Sequence, residues 1–139
     1  MIGVLVITHE NFGEAAMQTA ELILGKQEQA MALGCYRGDS IESFTEKVKV
    51  AIQELDTGDG VLVFADLFGA SPYNTAAKAS NGIESTFTCI TGFSLPMVLE
   101  ALSTRDVYGL EALTNQCLEV GKAGMKELFA ELSKFDEKN

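Results

Sequence analysis

The stretch Gly58-Asp59-Gly60-Val61-Leu62-Val63-Phe64-Ala65-Asp66-Leu67-Phe68-Gly69-Ala70-Ser71-Pro72 moves from a glycine turn through five apolar residues to an aspartate, a loop and a helix start. An unbroken apolar run of this length reads as a strand buried on both faces, as in the middle of a parallel sheet. Ser71-Pro72 has the form of a helix N-cap followed by proline at the first helical position, where its missing N–H costs nothing. Strand, loop and helix start together make one βα unit.

Similar units lie on either side. Upstream, residues 2–7 (Ile2-Gly3-Val4-Leu5-Val6-Ile7) predict a first strand with both faces apolar. A helix follows over 11–24, with Ala16, Ala20, Ile23 and Leu24 among its buried positions and Gly25 ending it. Residues 30–35 read as a weaker second strand. Asp39 or Ser40 can cap the next helix, with Glu42 in capping-box register to Asp39, and Ile41, Phe44, Val48, Ile52 and Leu55 recur at helical spacing. Downstream, the helix begun at Ser71 should finish near Asn81-Gly82, before a fourth strand over about 85–90. Ser94 or Leu95, then Pro96, open a short helix to about Ser103. Helix formers fill 110–135, with Gly121 and Gly124 as weak points.

Alternating strands and helices imply an α/β fold: an open doubly wound, mainly parallel sheet of order 2-1-3-4, with helices on both faces and a helical C-terminal segment. The 139 residues, 47% of them hydrophobic, suit one domain over 1–139. No apolar run approaches the roughly 18 residues needed to span a bilayer, and a signal-peptide pattern is missing, so a cytoplasmic protein is expected. A formal net charge of −10 argues against nucleic acid and anionic lipid and favours a protein partner with a basic surface. Cys35, Cys89 and Cys117, odd in number and set among apolar or small residues, read as reduced thiols without metal spacing.

In open parallel sheets, reacting groups gather beyond the carboxyl ends of the strands where the order reverses. Order 2-1-3-4 makes the ends of the first and third strands neighbours, and these ends carry His9, the only histidine, and Asp66. A carboxylate that accepts a hydrogen bond from one ring nitrogen fixes the tautomer and leaves the other nitrogen nucleophilic. The helix start at Ser71 offers unpaired backbone N–H groups, a positive dipole end and a hydroxyl to an anion, and a second helix start lies at 11–13. Imidazole, carboxylate and anion cradle together suggest phosphorylation of His9 without metal or cofactor. The chain has no G-x-x-x-x-G-K-[ST] run, which argues against ATP as the donor and for a phosphoprotein. The bland readings are that Asp66 only closes a turn and that Ser71 is only a helix cap.

The run ending in Thr8-His9, the segment Asp66-Leu67-Phe68-Gly69-Ala70-Ser71-Pro72-Tyr73-Asn74 and the segment Gly92-Phe93-Ser94-Leu95-Pro96-Met97 resemble the mannose-family IIA component of the bacterial phosphoenolpyruvate-dependent sugar phosphotransferase system. The resemblance implies a phosphoryl carrier. It makes His9 the phosphorylated residue, at its tele nitrogen, with Asp66 orienting the imidazole and Ser71 contacting the phosphoryl group. The implied donor is the phosphocarrier HPr and the acceptor a IIB component, which serves the IIC and IID membrane permease. Such a protein works in the cytoplasm, peripherally associated with a membrane transporter. Family members form homodimers that exchange an antiparallel edge strand near the C-terminus, whereas residues 125–132 here favour helix over strand. The chain also has Gly69-Ala70 where the family usually has Gly-Gly. Two other readings stay open: the related phosphotransferase subunit of a dihydroxyacetone kinase system, and a non-catalytic flavodoxin-like module that binds a phosphate-bearing ligand. Phe12, Phe68, Phe93 and Met97 could form an apolar docking rim or simply complete the core.

Overall fold

A computed structural model describes residues 1–67, 71–80 and 82–138, with the backbone alone for 71–73, 78, 137 and 138. Its elements run β1 (Gly3–His9), α1 (Phe12–Leu24), β2 (Ala30–Cys35), α2 (Ile41–Leu55), β3 (Val61–Ala65), α3 (Ser71–Ala79), β4 (Phe87–Thr91), α4 (Leu95–Thr104), α5 (Leu110–Ala123) and α6 (Leu128–Lys138). Among the described residues the sheet has four parallel strands in the order β2-β1-β3-β4. This is the expected open, doubly wound sheet.

Successive residues of a strand point to opposite faces, so β1 and β3 each feed two cores. Val4, Val6, Leu62 and Phe64 pack with Met17 and Ala20 of α1, Met97, Val98 and Ala101 of α4, and Leu113 and Cys117 of α5. Leu5, Ile7, Val61, Val63 and Ala65 pack with Phe44, Val48 and Ile52 of α2 and Ala76 and Ala79 of α3. Burying both faces is what the continuous apolar runs anticipated.

Three local expectations are corrected. Ile23 and Leu24 of α1, expected inside, are 57% and 38% exposed. The inward stripe is Gly13, Met17 and Ala20, and at 100° per residue Ile23 falls well off it, while Leu24 lies in the last turn with nothing beyond to cover it. Gly13 sets this phase by bringing α1 close to β1: a Cβ there would meet Val6 Cγ1 at 3.1 Å and Thr8 Oγ1 at 3.2 Å. Next, Ser40 rather than Asp39 caps α2, its hydroxyl accepting the Ser43 N–H at 3.2 Å. Asp39 instead accepts the Tyr36 N–H at 2.7 Å, closing the turn before the helix, so the capping box with Glu42 does not form through it. Finally, β1 runs two residues past Ile7, because β2 continues to pair with it through Thr8↔Gly34 and His9↔Cys35 after β3 has ended at Ile7↔Ala65. The histidine is thereby held in strand geometry.

At the amino ends of the strands, Arg105 is 4% exposed and ties three segments together. Its guanidinium donates to the carbonyls of Ile2, Glu28 and Gln29 and to Gln27 Oε1. The C-terminal helical region divides at one of its two glycines: Gly124 ends α5, Gly121 lies within that helix, and α6 follows as a helix, not a strand. Leu128, Phe129 and Leu132 on α6 are 64%, 72% and 50% exposed.

Candidate functional site

His9 and Asp66 meet at the carboxyl edge of the sheet, brought there by adjacent parallel strands of matched register. Asp66 Oδ2 accepts the His9 backbone N–H at 2.9 Å and stands 2.8 Å from Nδ1. The second oxygen, Oδ1, accepts the Leu67 N–H at 3.0 Å. A carboxylate next to Nδ1 selects the tautomer with the proton on Nδ1, so Nε2 carries the lone pair. The Asp66 side chain is 10% exposed and that of His9 45%, so the carboxylate is sheltered and the ring is open to approach.

The turn after His9 is held as closely as the ring. Glu10 sits at φ 52, in the left-handed region that costs a non-glycine residue on the order of 1 kcal/mol or more. Its N–H donates to Cys35 O at 3.0 Å. The buried Thr8 hydroxyl accepts the Gly13 N–H at 2.8 Å, satisfying one of the free amides in the first turn of α1. The second helix start expected at 11–13 is present at Phe12.

Ser71 is the first residue of α3; its side chain, with residues 68–70 including Phe68 and the Gly69-Ala70 pair, lies outside the described residues. The structure brings together His9 and Asp66, and it places the start of α3 a few residues beyond Asp66 along the chain. Of the expected apolar rim, Phe93 and Met97 belong to the core, while Phe12 is 53% exposed and stacks on Phe93 with ring centroids 5.3 Å apart. A shallow apolar groove of about 250 Å³ lies against both rings, lined also by Ala15, Ala16 and Leu95.

The end of β2 also reaches the site, which the sequence reading did not use. Tyr36 Oη donates to Glu14 Oε1 at 3.1 Å, and burial together with Glu14, Glu10 and Asp39 pushes its phenol pKa up. Burial, Asp39 and Asp66 also raise the Cys35 thiol, which keeps it protonated beside the histidine. The signal was available in the strand order: whatever follows the second strand of a 2-1-3-4 sheet must flank His9. The other two thiols are pushed up by burial, Cys89 to about 11 and Cys117, with Glu100 adding to it, to about 12. Among the described residues, no group of three His, Cys, Asp or Glu side chains could hold a metal ion, and no helix is long and apolar enough to cross a membrane.

Comparison with known proteins gives this arrangement its context. A family model described as the PTS system fructose IIA component matches residues 3–118. The chain is 33% identical over 130 residues to the mannose-specific EIIAB component of Escherichia coli K12, covering 93% of this chain and 40% of that protein. It therefore spans well under half of that relative. It is 30% identical over 115 residues to the fructose-specific EIIA component of Bacillus subtilis, covering 83% of this chain and 78% of the other. In structure it resembles the PTS IIA protein associated with the fucose utilization operon of Streptococcus pneumoniae, with a TM-score of 0.82, 30% identity and coverage of 94% and 95% of the two chains.

Proposed function

The chain belongs to the mannose- and fructose-type IIA family of the sugar phosphotransferase system, and from that membership we propose that it is a phosphoryl carrier in which His9 is the phosphorylated residue. The observation that carries the reading is the bond between Asp66 Oδ2 and His9 Nδ1. With Nδ1 protonated, the Nε2 lone pair attacks phosphorus, the bond from phosphorus to the donor group breaks, and that electron pair leaves with the donor. The ring becomes a phosphorylated imidazolium, and the Asp66 carboxylate offsets its positive charge. The second transfer reverses these steps toward the acceptor. The first-turn amides of α3 and the Ser71 hydroxyl supply contacts to the phosphoryl oxygens.

The donor in this reading is HPr and the acceptor a IIB component that serves the IIC and IID permease. Residues 1–139 act as one IIA-type domain in the cytoplasm, peripherally associated with the transporter. No metal or cofactor takes part. The open, half-exposed position of His9 suits a protein partner better than a small substrate, and the exposed Phe12 edge with the adjoining groove provides apolar contact area beside it. The domain is a homodimer in which α6 remains helical rather than being exchanged as a strand.

The test is incubation with phosphorylated HPr followed by intact-mass measurement. The wild-type chain should gain one acid-labile phosphoryl group and His9→Ala none; a wild-type chain that stays unmodified sinks the proposal.

A further inference from the structure

Gly34, in β2, faces the turn that follows His9, with Thr8 as its partner in β1. A Cβ built on Gly34 would fall inside the contact distance of the Glu10 carbonyl oxygen, 2.9 Å from Tyr36 Cε2 and 3.1 Å from the Glu10 carbonyl carbon. The aromatic ring could give way, but the Glu10 peptide is backbone. Its own amide is tied to Cys35 O at 3.0 Å, and its φ of 52 lies in the small left-handed region, within which a glutamate has little room to rotate. The residue just before it, His9, is held at two points by one oxygen of Asp66. The Glu10 carbonyl therefore occupies a seat that exists only because position 34 has no side chain.

We propose that Gly34 is a positioning residue for His9: its bare Cα makes room for the Glu10 carbonyl, so that the turn after His9 closes without pushing the imidazole away from Asp66. The inference rests on the phosphoryl-carrier reading for its functional consequence but not for its geometry. Adding a methyl group at position 34 forces the Glu10 peptide or the end of β2 to move by on the order of 1 Å, a displacement that can cost up to about a hundredfold in rate when it misplaces a reacting group. The strand pairing below Thr8 does not involve this seat.

The experiment uses the full chain with ¹⁵N-labelled histidine, which gives a single pair of ring-nitrogen signals because His9 is the only histidine. With the ring neutral, the wild type should show a protonated Nδ1 and an unprotonated Nε2. In Gly34→Ala the two signals should shift toward an average of both tautomers, and phosphate acceptance from phosphorylated HPr should fall about tenfold or more. Combining Gly34→Ala with Glu10→Gly frees the carbonyl to turn aside, since glycine tolerates a wide range of φ, and should restore both readouts. Gly34→Ala with the wild-type tautomer signature overturns the assignment, as does a double variant that recovers nothing. If Gly34→Ala alone fails to fold, the double variant decides: refolding with the wild-type signature supports the seat, and continued unfolding overturns it. A wild-type chain that never accepts phosphate defeats the carrier reading, while the tautomer signals still decide the role of Gly34.

Discussion

Asp66 holds His9 at two points with one oxygen: Oδ2 accepts the backbone N–H at 2.9 Å and lies 2.8 Å from Nδ1, while Oδ1 is occupied by the Leu67 N–H at 3.0 Å. The carboxylate is fully engaged on the strand-end backbone, so its position relative to the ring is set by the sheet and not by a free rotamer. Replacing it with an amide keeps the shape but removes the negative charge beside Nδ1 and sets an NH2 group against a backbone N–H in either orientation, so the Nδ1-protonated ring loses a well-placed anionic partner. Asp66→Asn should therefore slow phosphate acceptance by about 10²- to 10⁴-fold while cooperative unfolding is retained. Rapid-quench measurement of phosphohistidine formation checks the rate, and unchanged kinetics would remove Asp66 from the mechanism.

Thr8 supports the same turn from inside the fold. Its buried hydroxyl accepts the Gly13 N–H at 2.8 Å, and valine would fill the space without supplying an acceptor. Thr8→Val should destabilise the chain by about 1–2 kcal/mol, the cost of leaving a buried amide unpaired. Urea denaturation reads this directly, and a loss below about 0.3 kcal/mol would mean that water replaces the hydroxyl.

Arg105 offers a contrast, because it lies at the opposite ends of the strands from His9. Removing a guanidinium that serves the carbonyls of Ile2, Glu28 and Gln29 strands several acceptors at once. Arg105→Met should cost about 2–4 kcal/mol, and Arg105→Lys should rescue little, since an ammonium cannot reproduce the planar fork. The folded fraction should accept phosphate at the wild-type rate. A thermal melt paired with the transfer assay separates the two effects.

Much of this arrangement is legible in the sequence because the strands are buried on both faces. Residues 61–65 and the first apolar run announce a parallel sheet, and the order of that sheet alone puts His9 beside Asp66. What is not legible depends on close approach. The phase of α1 follows from how near Gly13 allows the helix to come to Val6 and Thr8, which a hydrophobic pattern containing Ile23 and Leu24 does not reveal. The choice between Asp39 and Ser40 as a cap turned on which backbone N–H each could reach, the Tyr36 amide or the Ser43 amide. Arg105 has its partners some 76 to 103 residues away along the chain and bonds mostly to carbonyls, so no charge pattern marks it.

Acid should act on the fold through Asp56. Its carboxyl is held below the usual value of 3.8 first by the Gly58 N–H; burial opposes this as the second-largest effect, and the Gly60 N–H, Ser85 and Thr86 add to the lowering. A group whose folded pKa is depressed contributes stability that is complete above its unfolded pKa and is lost as pH falls through the folded value. Asp56→Asn should therefore be less stable than wild type at neutral pH, with the gap closing as pH drops below about 4. Denaturation midpoints across that range test the sign, and a gap that is constant with pH would show that the turn does not depend on the charge.

The exposed apolar side chains of α6 bear on the proposed homodimer. Among the described residues the helix packs extensively on no other element, and Leu128, Phe129 and Leu132 are at least half exposed. Apolar residues grouped on one short helix mark an association surface more often than a solvent face. If a second copy covers them, dissociation exposes this area, and the melting temperature must rise with protein concentration by mass action. The wild type should therefore run as a dimer by light scattering and show that concentration dependence. Leu128→Asp combined with Leu132→Asp should run as a monomer whose melting temperature no longer depends on concentration. Because neither residue lies in the buried core, the far-UV circular dichroism of the variant should match the wild type. A wild-type chain that is monomeric at all concentrations tested would reject the homodimer and leave α6 without a role in assembly.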